Sequence, residues 1–301
     1  MSSDRPSRSA IAAAFFAIYV IWGSTYLAIQ VALETIPAAV LASSRFLLAG
    51  VALLAWAAMR RDPRPSVREV RAAALLGFLF LVLGNGLVVW AEQKVPSGLT
   101  SLLVAGTPLF TTLLLWALPP RRVPTGGMLL GVVLGLAGLL LLVLPGSLGG
   151  APVDPLGALA LAVASLSWAF GSVLSPRLPQ ARAAAVASGL QMLLAGMMLG
   201  GIGLVAGGPR HVDLGAVSPR SWFALAYLVV FGSLVAFSAF AWLLRVSTPE
   251  RTATTAYVNP VVAVLLGWLL AGEPLTARTL LAGGIIIAAV AVIVTARGKA
   301  R

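Results

Sequence analysis

Ten separate windows of about 20 predominantly apolar residues run through the sequence, and no other feature constrains its fold as strongly. About 20 helical residues are needed to cross the roughly 30 Å of hydrocarbon in a bilayer. Hydrophobic residues make up 59% of the 301 residues and charged residues 10%, which excludes a soluble monomeric domain and a disordered chain. The predicted spans are Ala10–Val31, Ile36–Ala58, Ala72–Ala91, Gly98–Ala117, Gly126–Leu144, Leu156–Leu174, Ala183–Val205, Trp222–Leu244, Ala253–Leu270 and Leu275–Val294.

These windows predict helices rather than strands. Only helices and closed barrels span a bilayer, and the strands of a barrel alternate in polarity over about ten residues. The first window follows Arg5 and Arg8, as in a signal peptide, but it is long and further spans follow it. We therefore expect an uncleaved first helix and an all-α membrane protein with ten transmembrane helices.

The loop charges predict the orientation of the chain in the membrane. Of the 21 lysines and arginines, 16 lie in the loops and tails on one face of the membrane, four lie in the loops on the other face, and Arg45 lies inside a span. Because cytoplasmic loops carry the excess of Lys and Arg, both termini are expected in the cytoplasm. The net charge of +12 is then explained by topology, so we expect no nucleic-acid partner.

Several kinds of chemistry are excluded by the residues that the chain lacks. It has no cysteine and a single histidine, so we expect no metal site and no cofactor. An enzyme embedded in the membrane would need clustered acid–base or nucleophilic groups at depth, and none is evident in the spans. No Asp or Glu lies in the middle of a span, which argues against an intramembrane carboxylate for protons or sodium.

The two halves of the chain resemble each other. The run Arg45–Gly50 (RFLLAG) in the second span corresponds to Gln191–Gly196 (QMLLAG) in the seventh, at an offset of 146 residues. Trp22 in the first span and Trp168 in the sixth have the same offset. The order of matching spans is therefore preserved between the two halves.

Later spans match at a slightly larger offset. Pro108 in the fourth span corresponds to Pro260 in the ninth, 152 residues further on. Each repeat has five spans, an odd number, so the second repeat must enter the membrane from the opposite side, as in many secondary transporters. We predict one repeat over residues 1–148 and its inverted counterpart over residues 149–301.

The chain resembles the EamA branch of the drug/metabolite transporter superfamily. The resemblance is carried by Trp22–Thr25 (WGST), Arg45–Gly50, Pro108, Pro260 and Gly272–Thr276 (GEPLT). It implies ten helices in two inverted repeats, export or exchange of small metabolites, and a bacterial inner membrane. Within the family it points to aromatic amino-acid exporters of the YddG type. The chain departs from the family pattern after the fourth span, where Pro119–Arg122 replaces a frequent acidic residue.

Two tryptophans are candidates for a substrate site because of their depth. Trp22 and Trp168 lie near the middle of their spans, and an indole N–H at that depth needs a partner. Their matched placement favours the lining of a cavity, with simple core packing as the alternative. Tyr26 shares a helix face with Trp22, and Ser172 shares one with Trp168. Trp90, near the end of the third span, is a further candidate.

Arg45 is the sharpest single feature of the sequence. It lies about nine residues into its predicted span, ~14 Å deep at 1.5 Å per residue. A charge near the membrane centre costs at least about 2.5–3.5 kcal/mol, so it must face protein or water. It is either a clamp for a carboxylate or phosphate group, or a tie to backbone carbonyls or to a carboxylate such as Glu34 or Glu92. Asn85, flanked by glycines in mid-span, is a second polar candidate.

The prolines predict broken helices in matching positions of the two repeats. Pro108 lies in the fourth span, and Tyr257, Asn259 and Pro260 lie together in the ninth. Proline removes one helical hydrogen bond, and paired breaks mark the binding sites of many transporters. Packing alone is the alternative explanation for these kinks.

The sequence therefore predicts a secondary transporter that works by alternating access at a site between the repeats. The expected cargo is an aromatic or other neutral amino acid, exported across the inner membrane. A multidrug carrier, a nucleotide-sugar carrier and a channel are the alternatives. The expected partners are a small-molecule substrate and the bilayer, with a monomer and a homodimer both left open.

Overall fold

A computed structural model of the protein describes residues 7–119, 123–144, 153–207, 213–246 and 255–299. Every regular element in these ranges is helical. Nine of the described helices contain an apolar stretch long enough to cross a membrane, and one has a shorter stretch, Val258–Ala271. The predicted fold class, an all-α membrane protein with ten transmembrane helices, is confirmed.

The ten helices follow the ten predicted spans in order. Their bounds are α1 Arg8–Leu33, α2 Ala38–Met59, α3 Val67–Ala91, α4 Ser97–Ala117, α5 Gly126–Val143, α6 Pro155–Leu174, α7 Ala184–Val205, α8 residues 219–246, α9 Thr255–Ala271 and α10 Ala277–Lys299.

Local capping residues determine where several helices begin. Ser66 and Glu69 form a reciprocal capping box at the start of α3. Asp154 accepts a hydrogen bond from the Gly157 amide at the start of α6, where Pro155 fills a position that needs no N–H donor. These short polar signals separate apolar runs that would otherwise merge.

Two helices contain long π-helical segments at equivalent positions of the two repeats. The segment in α3 is Phe78–Gly86 and the segment in α8 is Leu228–Val235, so they begin 150 residues apart. π-Helical turns are rare and frequently occur at functional sites, because the wider turn displaces the backbone from its regular pairing. Periodicity in the sequence did not indicate either segment.

The helices pack across the two repeats in a pattern that is unchanged when the halves are exchanged. Helix α2 packs on α7, and α5 packs on α10. The first helix of each repeat packs on the fourth helix of the other repeat, so that α1 contacts α9 and α6 contacts α4. It also packs on the third helix of the other repeat, so that α1 contacts α8 and α6 contacts α3. A pseudo-two-fold relation between the repeats explains this pattern. The predicted boundary after residue 148 lies outside the described residues and remains a prediction.

Helices α2 and α7 cross with their backbones in close contact. A Cβ atom added at Gly50 would lie 2.5 Å from the backbone N of Leu193, and one added at Gly196 would lie 2.8 Å from the backbone N of Leu47. Leu47 and Leu193 are themselves 146 residues apart. The matching RFLLAG and QMLLAG runs are therefore the two halves of one symmetric crossing, at which only glycine allows the backbones to approach.

Only one of the two predicted proline breaks is present, the one in α4. Helix α4 is interrupted at Ala105 and Gly106, directly before Pro108. Helix α9 instead continues without interruption through Pro260, so the predicted break there is wrong. Proline removes the donor of one hydrogen bond and crowds the preceding turn, but the remaining bonds of α9 hold the helix together.

Candidate substrate site between the two repeats

Arg45 joins the two π-helical segments. Its side chain is only 4% exposed, its Nε donates to Ser233 Oγ at 3.0 Å, and its Nη1 donates to Asn85 Oδ1 at 3.4 Å. Asn85 belongs to the segment in α3 and Ser233 to the one in α8. Among the described residues Arg45 forms no ion pair, and Glu34 pairs instead with Arg220 at 3.4 Å.

The guanidinium of Arg45 keeps binding capacity for a ligand. A guanidinium has five N–H donors, and the two hydrogen bonds seen here both go to neutral oxygens. Within the described ranges Nη2 makes no hydrogen bond. It lies against Gly232, where an added Cβ atom would be only 2.9 Å from it. The site therefore retains a full positive charge and a planar fork that suits a carboxylate or phosphate.

The two central tryptophans, one from each repeat, lie next to each other. The rings of Trp22 and Trp168 lie 6.3 Å apart between centroids in an edge-to-face arrangement at 89°. Phe240 flanks Trp22 and Phe80 flanks Trp168, each at 5.0 Å between centroids. The indole N–H of Trp22 donates to the Gly232 carbonyl in the π-helical segment of α8 at 3.3 Å. We call the rings of Trp22, Trp168, Phe240 and Phe80 the aromatic row. It lies beside Arg45, because Trp22 and Arg45 contact the same turn of α8.

Two further candidates lie near this centre. Tyr26 is half-buried and packs against the hydrophobic core. Asn259 is half-buried, and its buried side-chain oxygen has no hydrogen-bond partner among the described residues. Its backbone oxygen faces Gly23, where an added Cβ would be 3.2 Å away. The side chain of Tyr257 lies outside the part of the chain that the structure describes.

Two predicted site residues are not brought to this centre. Trp90 is 38% exposed and carries the Lys94 ammonium 5.2 Å from its ring centroid. Five residues separate it from Asn85, which places it about 140° around a regular helix, on another face. Ser172 is exposed, and its hydroxyl donates to the Trp168 carbonyl of its own helix at 2.8 Å. Trp90 was a candidate because of its place near the end of a span, and Ser172 because of its spacing from Trp168; neither property determines where a side chain points.

Glu273, in the GEPLT motif, ties the two repeats together. Its carboxylate accepts hydrogen bonds from Ser97 N at 2.7 Å, Ser97 Oγ at 2.6 Å and Gly98 N at 2.9 Å. It therefore caps the start of α4 from the loop between α9 and α10, where a negative charge is stabilised by the helix dipole. A Cβ at Gly267 would be 2.5 Å from this carboxylate. The motif alone did not indicate this capping role, because Ser97 and Gly98 are distant in the sequence.

Replacing Glu273 with glutamine should destabilise the protein by about 1–3 kcal/mol, because a charged cap with three donors becomes a neutral amide with poorer geometry. Thermal unfolding of the purified protein in detergent measures the loss. The matched control is Glu34→Gln, since Glu34 forms an exposed pair with Arg220 that contributes little. Equal unfolding temperatures for the two variants would refute the capping role.

Arg278 performs the complementary task at the end of α5. Its guanidinium donates to the carbonyls of Leu141 at 2.9 Å and Leu142 at 2.7 Å, and also to that of Leu144. These are carbonyls of the last helical turn, which lack partners within the helix. Arg278 is buried, and three of its five N–H donors are directed to backbone carbonyls. Its contacts therefore assign it a structural role at the end of α5.

Two cavities lie away from the aromatic row. One of about 240 Å³ lies near Lys94, Glu273 and Arg278, between the ends of several helices. The other, of about 540 Å³, is an apolar groove between α1 and α8 beside Phe223 and Phe231. Neither is lined by Arg45 or the central tryptophans, so the centre is packed rather than opened onto these cavities.

Ten membrane-crossing helices in two related halves around a buried cation define a membrane transporter of small molecules. The chain belongs to the EamA-like transporter family, whose sequence pattern matches residues 9–144 and again residues 155–295. Each half thus matches the family once, as expected for a two-repeat fold.

Comparison with individual proteins agrees with this assignment. The chain is 40% identical to the uncharacterized inner membrane transporter YedA of Escherichia coli (strain K12), over 93% of this chain and 89% of that protein. It is 29% identical to a probable terminal-alkyne amino-acid exporter of Streptantibioticus cattleyicolor, over 91% and 90% of the two chains. A protein of known crystal structure shares the fold at a TM-score of 0.65 and 21% identity, with 95% of this chain and 96% of that chain covered.

Proposed function

We propose that the protein is a secondary transporter that exports aromatic or other neutral amino acids by alternating access. The observation that carries the proposal is the buried guanidinium of Arg45. It is held by two neutral side chains and keeps N–H donors that the described residues do not use. In this proposal the substrate carboxylate binds Arg45 and its side chain packs against the aromatic row. We further propose that the protein lies in the inner membrane with both termini in the cytoplasm, as the loop charges indicate.

The charge of the centre favours an amino acid over the other cargoes. A cationic drug would be repelled by the positive charge of Arg45, which forms no ion pair with the described residues. A nucleotide sugar carries two phosphates and would need several buried cations. Arg278 is the other buried arginine in the described ranges, and it is engaged by backbone carbonyls. One guanidinium fork matches one carboxylate.

The aromatic row and one relative support the same class of substrate. Edge-to-face rings accept a flat apolar side chain with favourable stacking geometry. The relative from Streptantibioticus cattleyicolor is named as an amino-acid exporter, and the present chain aligns with it over most of its length. Arg45 links the equivalent π-helical segments of both repeats, so a ligand on Arg45 acts on both halves at once. This is the coupling that alternating access between two repeats requires.

Replacing Trp22 and Trp168 together with alanine should raise the KM for phenylalanine and tryptophan about tenfold, since stacking and burial of ~1.4 kcal/mol are lost. Radiolabelled uptake into proteoliposomes measures the change. The matched control replaces Trp116 and Trp268, another pair of repeat mates, which are 47% and 48% exposed. If the control pair has the larger effect, the aromatic row is not the substrate site.

Solute counterflow in proteoliposomes tests the proposed function itself. The panel contains phenylalanine, tryptophan, leucine, a cationic dye and a nucleotide sugar. We expect saturable exchange of the amino acids, strongest for the aromatic ones, and none of the dye or the nucleotide sugar. Exchange of either of those compounds without amino-acid exchange would refute the proposed cargo, and flux that fails to saturate would indicate a channel.

A further inference from the structure

Glu92 is a buried carboxyl group that the proposed substrate site does not yet use. It follows the last residue of α3 and is only 5% exposed. Within the described ranges neither of its side-chain oxygens has a hydrogen-bond partner. Glu92 lies just beyond the third predicted span, so the apolar windows did not indicate a buried carboxyl group there. The fold nevertheless encloses this residue within the protein.

The groups that face Glu92 come from several elements. The titratable groups that influence Glu92 electrostatically are Tyr26 on α1, Arg45 on α2 and Glu273 before α10. Helix α6 packs on the last turn of α3 and carries Asp154 at its start. Asp154 is turned to the Gly157 amide and lies 4.0 Å from the Lys94 ammonium. No facing group in the described chain donates a hydrogen bond to Glu92.

This environment disfavours the ionised form of Glu92. A buried carboxylate without donors loses its hydration and gains nothing in return. Burial is the main cause that raises the pKa of Glu92 well above its usual range, the Glu273 carboxylate raises it further, and Arg45 opposes both. These influences favour the neutral carboxylic acid form of Glu92 in this conformation.

We propose that Glu92 is the proton-binding site that couples transport to proton movement in the opposite direction. The proposal rests on the proposed amino-acid cargo, because the cation that replaces the proton is the ammonium group of that cargo. A substrate whose carboxylate binds Arg45 has its ammonium group one carbon away, and α2, which carries Arg45, contacts the last turn of α3, directly before Glu92.

Competition for one carboxylate makes the exchange obligatory. When the substrate ammonium approaches, the Glu92 O–H bond breaks, the proton leaves to water, and the carboxylate pairs with the ammonium. When the substrate leaves, a proton must return before the buried carboxyl group is neutral again. Because an empty, ionised Glu92 is unfavourable in the closed protein, the transporter changes orientation with either a proton or a substrate bound.

Infrared spectroscopy of the purified protein tests the protonation of Glu92 without any substrate. At neutral pH we expect a protonated-carboxyl band in the wild type that is lost in Glu92→Gln and kept in Glu34→Gln, a control at an exposed carboxylate. Added phenylalanine should remove the band in the wild type as the proton is released. A wild-type spectrum that lacks the band overturns the proposal, whatever the cargo is.

Transport driven by a pH gradient tests the coupling. In proteoliposomes with an imposed gradient, the wild type should accumulate phenylalanine against its concentration gradient, with uptake that depends on pH. Glu92→Gln should lose this accumulation, and whatever exchange it retains should no longer depend on pH. Accumulation by Glu92→Gln as strong as that of the wild type overturns the coupling. A band at Glu92 with no amino-acid exchange would instead overturn the proposed cargo alone.

Discussion

Replacing Arg45 with lysine should reduce the apparent affinity for a transported amino acid by tenfold to a hundredfold, although the positive charge is kept. Lysine has no planar fork and cannot reach Ser233 and Asn85 while it also binds a carboxylate. A hydrogen bond to a charged group contributes about 1.5–3 kcal/mol, which corresponds to this range of affinity. Concentration-dependent counterflow in proteoliposomes gives the KM.

The same substitution at the end of α2 is the control. Arg60 lies just beyond α2 and its guanidinium stacks on the exposed ring of Trp56 at 4.9 Å from the ring centroid. Arg60→Lys keeps the loop charge and should leave the KM within about twofold, because surface substitutions rarely change function by more than ~0.5 kcal/mol. Equal KM values for Arg45→Lys and the wild type would show that Arg45 is only a tie between helices.

Replacing Gly50 with valine should lower the free energy of unfolding by about 3 kcal/mol, the upper end of the range for overpacking. The atoms that a new Cβ would meet first are backbone atoms of α7, namely Leu193 N at 2.5 Å, Leu193 Cα at 2.8 Å and the Gly189 carbonyl oxygen at 3.0 Å. Backbone atoms cannot rotate away as a side chain can. The two repeats must therefore separate along their symmetric crossing.

The control for this prediction is Gly201→Val in α7. Gly201 is exposed, and an added Cβ would have no heavy atom within 4 Å. Valine is a better helix former than glycine, so the control should be neutral or slightly stabilising. Thermal unfolding in the same detergent compares the two. A Gly50→Val protein that unfolds at the wild-type temperature would contradict the close crossing of α2 and α7.

The helical architecture could be predicted from the sequence because its causes are local. Apolar length determines each span, and the short polar turns between runs leave few alternatives. The repeat was visible because the crossing of α2 and α7 preserves the same glycine, Gly50 or Gly196, in both halves. Arg45 stood out because a charge at that depth needs partners, and the structure supplies them.

The partners of Arg45 could not be predicted, because they depend on the local geometry of distant helices. Neither π-helical segment has a periodicity that distinguishes it from an α-helix, yet these segments bring Asn85 and Ser233 to the guanidinium. Pro260 predicted a break that the helix does not have, because a helix tolerates one lost hydrogen bond when the neighbouring bonds are kept. Glu92 lies outside every apolar window, and only tertiary packing buries it.

The central claim, that a substrate carboxylate binds Arg45, is tested most directly by competition against labelled tryptophan in counterflow. Tryptophan and tryptamine share the indole and the ammonium group, and only tryptophan has the carboxylate. We predict that unlabelled tryptamine competes at least tenfold more weakly than unlabelled tryptophan in the wild type, and that this difference disappears in an Arg45→Met protein. Equal competition by the two compounds in the wild type would contradict the account.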